Sequence, residues 1–84
     1  MTRRITLYSK PGCHLCEETR ADLHTLKSES ELEVVEIDIT ADPVLFRRFQ
    51  YLVPVIDIEG GVALFAPIDL VELRQALIES KRQP

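Results

Sequence analysis

The sequence predicts a single α/β domain: a four-stranded mixed sheet flanked by three helices, in the order βαβαββα. Three observations carry that expectation. Short stretches alternate apolar and polar residues, longer ones repeat apolar residues every three or four positions, and Gly and Pro punctuate the joins. At 84 residues the chain has room for one core and no second domain.

Residues 4–9, Arg-Ile-Thr-Leu-Tyr-Ser, alternate in period two and predict the first strand. Lys10-Pro11-Gly12 ends it. From Cys13 the period changes: Cys16, Thr19, Leu23 and Leu26 share one helical face, and the helix should end near 28–30. Leu32 to Ile39 is the second strand. Val34, Val35, Ile37 and Ile39 make it largely apolar, which suits a strand covered on both faces. A strand–helix–strand unit of this kind is parallel, with a right-handed crossover.

Asp42-Pro43 reads as a helix N-cap followed by proline at the first helical position. The short helix behind it is expected to pack through Leu45, Phe46 and Phe49. Val53 to Ile58 is the third strand, Glu59-Gly60-Gly61 a tight turn, and Val62 to Phe65 the fourth strand of an antiparallel hairpin. Asp69 with Glu72 forms a capping box for the last helix, which buries Leu70, Leu73 and Leu77 with Ile78 alongside. Phe46, Phe49 and Phe65 are expected in the core. From about residue 80 the chain reads as a polar tail.

Composition narrows the classes of function. The net charge of −4 gives no basic stripe for nucleic acid, and the adjacent Arg47 and Arg48 make no phosphate track. No apolar run approaches membrane-spanning length, and the N-terminal stretch lacks the apolar segment of a signal peptide. The expectation is a cytoplasmic protein, with no nucleic-acid or membrane partner and a monomer as the default. In a reducing compartment a purely structural disulfide is out of place. The two cysteines therefore need another reason.

Cys13-His14-Leu15-Cys16 supplies one. On the first turn of a helix, residues three apart face the same side, so the two sulfurs can meet. Unpaired N–H groups and the positive end of the helix dipole lie beside the first cysteine and favour its thiolate, which is the nucleophile. The second cysteine, one turn in, can resolve a mixed disulfide on the first. Lys10 and a protonated His14 favour the thiolate, whereas Glu17 and Glu18 oppose it. Leu15 offers an apolar contact beside the reactive sulfur. Zinc is the main competitor, but a structural site wants four ligands, and His14 and His24 lack finger spacing. No metal site is expected. Haem attachment fails because Glu17, not His, follows Cys16. His24 reads as a surface residue, and Tyr8 as strand packing at the border of the site. The proline of Val53-Pro54 suits the start of a strand.

Taken in order, Lys10-Pro11-Gly12-Cys13-His14-Leu15-Cys16, Glu36-Ile37-Asp38-Ile39, Val53-Pro54 and the Gly-turn hairpin resemble a glutaredoxin over nearly the whole chain. The resemblance is to a subfamily of short bacterial glutaredoxin-like proteins. It implies the thioredoxin-like, glutaredoxin-type fold, with Cys13 attacking and Cys16 resolving. It implies a cis Pro54 against the cysteines, and Val53 offering backbone hydrogen bonds to a substrate held like an added strand. Lys10 matches the lysine that glutaredoxins place near the glutathione carboxylate. One departure stands out. Where glutaredoxins carry Gly-Gly before the last helix, this chain reads Phe65-Ala66-Pro67-Ile68-Asp69, and its bulkier side chains crowd the approach that glycine permits.

The expected activity is thiol–disulfide exchange on protein disulfides or glutathione mixed disulfides. No cofactor is held, and either glutathione or a thioredoxin-reductase-type system serves as reductant. Two rivals differ in class. One is a binding module that presents Leu15 and the Val53-Pro54 edge with little redox turnover. The other is an iron–sulfur site shared between two chains.

Overall fold

The computed structural model describes residues 3–81. The elements are β1 (Arg3–Ser9), α1 (His14–Glu29), β2 (Leu32–Asp38), a 3-10 turn (Ile39–Ala41), α2 (Pro43–Phe49), β3 (Val55–Ile58), β4 (Ala63–Phe65) and α3 (Leu70–Lys81). The tail expected from about residue 80 runs as helix backbone to Lys81, and residues 82–84 lie outside the described residues. The order is the expected βαβαββα.

The strands form one mixed sheet in the order β2-β1-β3-β4. β1 runs parallel to β2, with Leu7 opposite Glu36 and Ser9 opposite Asp38. It runs antiparallel to β3, with Tyr8 opposite Val55, and β3–β4 is an antiparallel hairpin. Gly60 takes φ 75° in that turn, the left-handed region that glycine reaches without a Cβ penalty. The Val53–Pro54 and Ala66–Pro67 peptides are both cis.

Period-two alternation in β1 divides the interior in two. Ile5 and Leu7 point to one face, where they join Leu23 and Leu26 of α1, Ile56 and Ile58 of β3, and Leu73, Ala76 and Leu77 of α3. Tyr8 points to the other face. There it borders a smaller cluster of Cys16, Ile39, Phe49, Val53 and Val55, with Leu45 of α2 against it. Helix α1 thus serves both clusters: its first turn carries Cys16 into the second, and its later turns enter the first.

Caps set the helix ends. Asp42 Oδ1 accepts from the N–H groups of Val44 and Leu45 at 2.9 and 3.3 Å, with Pro43 behind it as expected. Asp69 Oδ1 accepts from Glu72 N–H at 2.7 Å, the forward half of the capping box.

Four expectations are corrected. β2, at the edge of the sheet, is not covered on both faces: Val35, opposite Thr6, is exposed. Its apolar content reflects one neighbouring strand and α1, not two layers. Ile39 leaves the strand for the 3-10 turn, and β3 begins at Val55, after the cis proline. Phe46 and Phe65 are exposed, so among the phenylalanines only Phe49 is core. The three residues of β4 are too few to bring Phe65 under cover. Ile78 is likewise exposed, on the outer side of the α3 stripe.

Candidate functional site

The dithiol site is built where β1 hands over to α1. Gly12 takes φ 74°, and a Cβ there would meet nothing within 4 Å. Glycine is needed for the backbone angle, not for space. The turn leaves Cys13 at the N-cap of α1 in an extended conformation, φ −93° and ψ 105°. Its Sγ accepts from Cys16 N–H at 3.1 Å, and its carbonyl accepts from Glu17 N–H at 3.2 Å. The sulfur thus occupies the position a Ser or Asp side chain takes at an N-cap, facing the Cys16 amide hydrogen at the positive end of the helix.

Cys13 and Cys16 are joined as a disulfide with Cα atoms 5.2 Å apart. Their surroundings differ. Cys16 is 0% exposed, whereas Cys13 is half-buried at the rim of the second cluster. Leu15 between them is 47% exposed and presents the apolar contact read from the sequence. His14 is exposed, with its ring nitrogens 3.8 Å from the carboxylates of both Glu17 and Glu18. The charges expected to compete at the motif therefore face one another on the outer side of α1.

Lys10 points elsewhere than a free cation would. Its Nζ donates to Gln50 O at 3.0 Å, at the end of α2 where the helix dipole is negative. It ties the loop before Cys13 to the helix over the second cluster. Val53 is buried and packs in the cluster that holds Cys16, and Pro54 beside it is fully buried. The Val53 N–H donates to Phe49 O at 3.1 Å, so that donor is already engaged within the fold. Tyr8 lies against Phe49, ring centroids 4.9 Å apart, and so supports the site from below. His24 is exposed on α1, as read.

Sequence reasoning passed over one polar group behind the cysteines. Ser9, 3% exposed, donates its hydroxyl to Glu36 Oε2 at 2.7 Å. Glu36 also accepts from Arg20 of α1, with Nε to Oε1 at 2.8 Å. The Arg20 guanidinium holds the Glu36 carboxyl below the usual carboxylate range, with the Ser9 hydroxyl adding to it against partial burial. A signal was present: Ile5, Leu7 and Ser9 share one face in period two, so a serine falls on a core position and must find a partner.

Two of the surface hollows differ in their relation to the site. One of about 230 Å³ lies at the far end of α1, among Arg3, Leu26, Glu29, Ser30, Arg74 and Leu77, away from the cysteines. A groove of about 170 Å³ opens on the α2 side of the sheet, with Tyr8, Phe49, Val55 and Phe65 in its wall. Three of those four residues also form or border the cluster around Cys16.

Comparison with known proteins agrees with this architecture. Residues 4–78 match the model of the Glutaredoxin-like domain (DUF836) family. A crystal structure of a structural-genomics target protein from X. campestris is similar at 28% identity and TM-score 0.76, covering 89% of this chain and 96% of that one. A solution structure of a protein from Nitrosomonas europaea is similar at 31% identity and TM-score 0.71, covering 87% and 88%. A malarial protein shares the fold at TM-score 0.77 and 13% identity, over 95% and 98% of the two chains.

Proposed function

Because the chain belongs to the glutaredoxin-like domain (DUF836) family, we propose that it is a thiol–disulfide oxidoreductase working through Cys13 and Cys16. The observation that carries this reading is the asymmetry of the pair. Cys13 is half-buried at a helix N-cap with its sulfur facing an amide hydrogen, and Cys16 is bonded to it from a fully buried position. The first is built to attack and the second to resolve.

The Cys13 thiolate attacks one sulfur of a substrate disulfide, and the other sulfur leaves as a thiolate that takes a proton from water. Cys16 then gives up its proton to solvent and attacks the Cys13 sulfur. The mixed disulfide breaks, the second substrate thiolate leaves, and the Cys13–Cys16 bond forms. Two electrons pass to the substrate in all. A disulfide-bearing protein or a glutathione mixed disulfide is the substrate, and glutathione or a thioredoxin-reductase-type system returns the pair to the dithiol. Among the described residues no helix is long and apolar enough to cross a membrane, and the proposed place of action is the cytoplasm.

Equilibration in glutathione redox buffers, followed by acid trapping and intact mass, tests the reading. Wild type should lose two hydrogens reversibly, and Cys16→Ser should gain one glutathione on Cys13. A Cys13 that stays reduced and unmodified across the whole range would leave the fold as a binding module instead.

A further inference from the structure

Cys13 and Cys16 share the first turn of α1, and one carboxylate ties the strand end before that turn to the helix after it. Ser9 is the last residue of β1 and stands four positions before Cys13. Arg20 stands four positions after Cys16, one helical turn further along α1. Glu36, opposite Leu7 on β2, accepts from the Ser9 hydroxyl at 2.7 Å and from both Nε and Nη2 of Arg20. The loop that presents Cys13 leaves from one anchor. The helix that carries Cys16 is held by the other. Ser9 is 3% exposed, so its hydroxyl has lost water and depends on this bond.

We propose that Glu36 is a positioning residue for the Cys13–Cys16 couple: by holding Ser9 and Arg20 together it fixes the approach of the two sulfurs and favours the disulfide over the dithiol. The inference rests on the redox reading above. Two physical effects act in the same direction. Closing a dithiol is intramolecular, so its equilibrium follows how well each thiol is held against the other, and a looser frame lowers that effective concentration. The carboxylate also offsets the Arg20 charge. Without it, an uncompensated guanidinium on α1 favours a thiolate and hence the reduced form. Loss of Glu36 therefore makes the pair easier to reduce.

Glutathione-buffer midpoints of wild type, Glu36→Gln, Ser9→Ala and Arg20→Gln test it, together with the unfolding free energies of the oxidised and reduced forms of each. In Glu36→Gln the equilibrium constant for disulfide formation should fall about fivefold, a midpoint about 20 mV less negative at roughly 30 mV per tenfold. The oxidised form should lose more stability than the reduced form by the same factor, because the redox and folding equilibria close a cycle. Ser9→Ala should move the midpoint the same way by less, and Arg20→Gln should move it least, because the looser frame and the loss of the charge that favours the thiolate oppose each other. Arg74→Gln breaks the ion pair with Glu29, another exposed pair held by α1, and should leave the midpoint in place.

A purely structural fastening would lower both forms equally and leave the midpoint unmoved, and that result overturns the inference. Should Glu36→Gln fail to fold, a wild-type midpoint in Ser9→Ala, which loosens the frame without changing a charge, overturns it as well. Failure of the underlying redox reading is seen separately, in a wild-type protein that never loses two hydrogens.

Discussion

The two hydrophobic clusters differ in what closes them. The first is aliphatic throughout and lies between the sheet and two long helices, with Ile5, Leu7, Ile56 and Leu73 each 0% exposed. The second mixes a cysteine and an aromatic ring with aliphatic residues, and a seven-residue α2 is the helix over it. Its rim is therefore open: Tyr8, Cys13 and Leu45 are only partly covered. The first cluster is the larger and supplies more of the apolar burial that stabilises so small a chain. The second carries the reactive pair at its edge, where one sulfur must reach a partner and the other must not.

The largest effects separate the clusters cleanly. Cys13→Ser should reduce disulfide exchange to the buffer's own rate, while the unfolding midpoint stays within about 0.5 kcal/mol of the reduced wild type. Leu23→Ala should do the reverse. Deleting that fully buried side chain from the first cluster should cost about 2–5 kcal/mol in denaturant unfolding. The folded fraction should keep a wild-type glutathione midpoint. A shifted midpoint in Leu23→Ala would mean that the two clusters do not act separately.

Local patterns announced this division unevenly. Period two in residues 4–9, the helical spacing from Cys16 to Leu26 and the Asp42-Pro43 cap all rest on neighbours in sequence, and all appear in the structure. The dithiol was legible for the same reason, since its parts lie within one turn. Sheet order was not. Nothing in Leu32 to Asp38 says that β2 is an edge, because apolar content reports burial against some neighbour without saying how many. Phe46 and Phe65 misled because an aromatic side chain is a weak guide to burial on short elements. In sequence Lys10 has the place of a cation for the thiolate or a substrate carboxylate. Its bond to Gln50 joins residues forty positions apart, which no local pattern encodes.

Helix capping gives an intermediate test. Asp42→Ala and Asp69→Ala each remove a side-chain acceptor from a helix start and should each cost about 1 kcal/mol. The two should differ in chemistry. Helix α2 lies over the second cluster, so Asp42→Ala should speed alkylation of Cys16 in the reduced protein. Helix α3 closes the first cluster, so Asp69→Ala should leave that rate unchanged. Equal rates in the two variants would mean that α2 does not shelter Cys16.

The smallest effect concerns the Ser9–Glu36–Arg20 hydrogen bonds that tie β1 and β2 to α1. The Glu36 carboxyl is held below the usual carboxylate range, chiefly by the hydrogen bond from Arg20. A depressed carboxyl adds stability at pH values above its unfolded value, where the unfolded chain also carries the charge. That stability is lost as pH falls through the lower, folded value, because both states then bind the proton. The unfolding free energy of wild type should therefore exceed that of Glu36→Gln near neutrality, and the gap should narrow as the solution is taken below the ordinary glutamate range. The side chain is 35% exposed, so solvent screening keeps the pH-dependent part below about 1 kcal/mol. High salt should reduce it further, since the Arg20 partner is itself half exposed. The Ser9 hydrogen bond is buried at one end and largely escapes that screening. A gap that persists unchanged into acid would assign the stabilisation to the neutral hydrogen-bonded frame rather than to the charge.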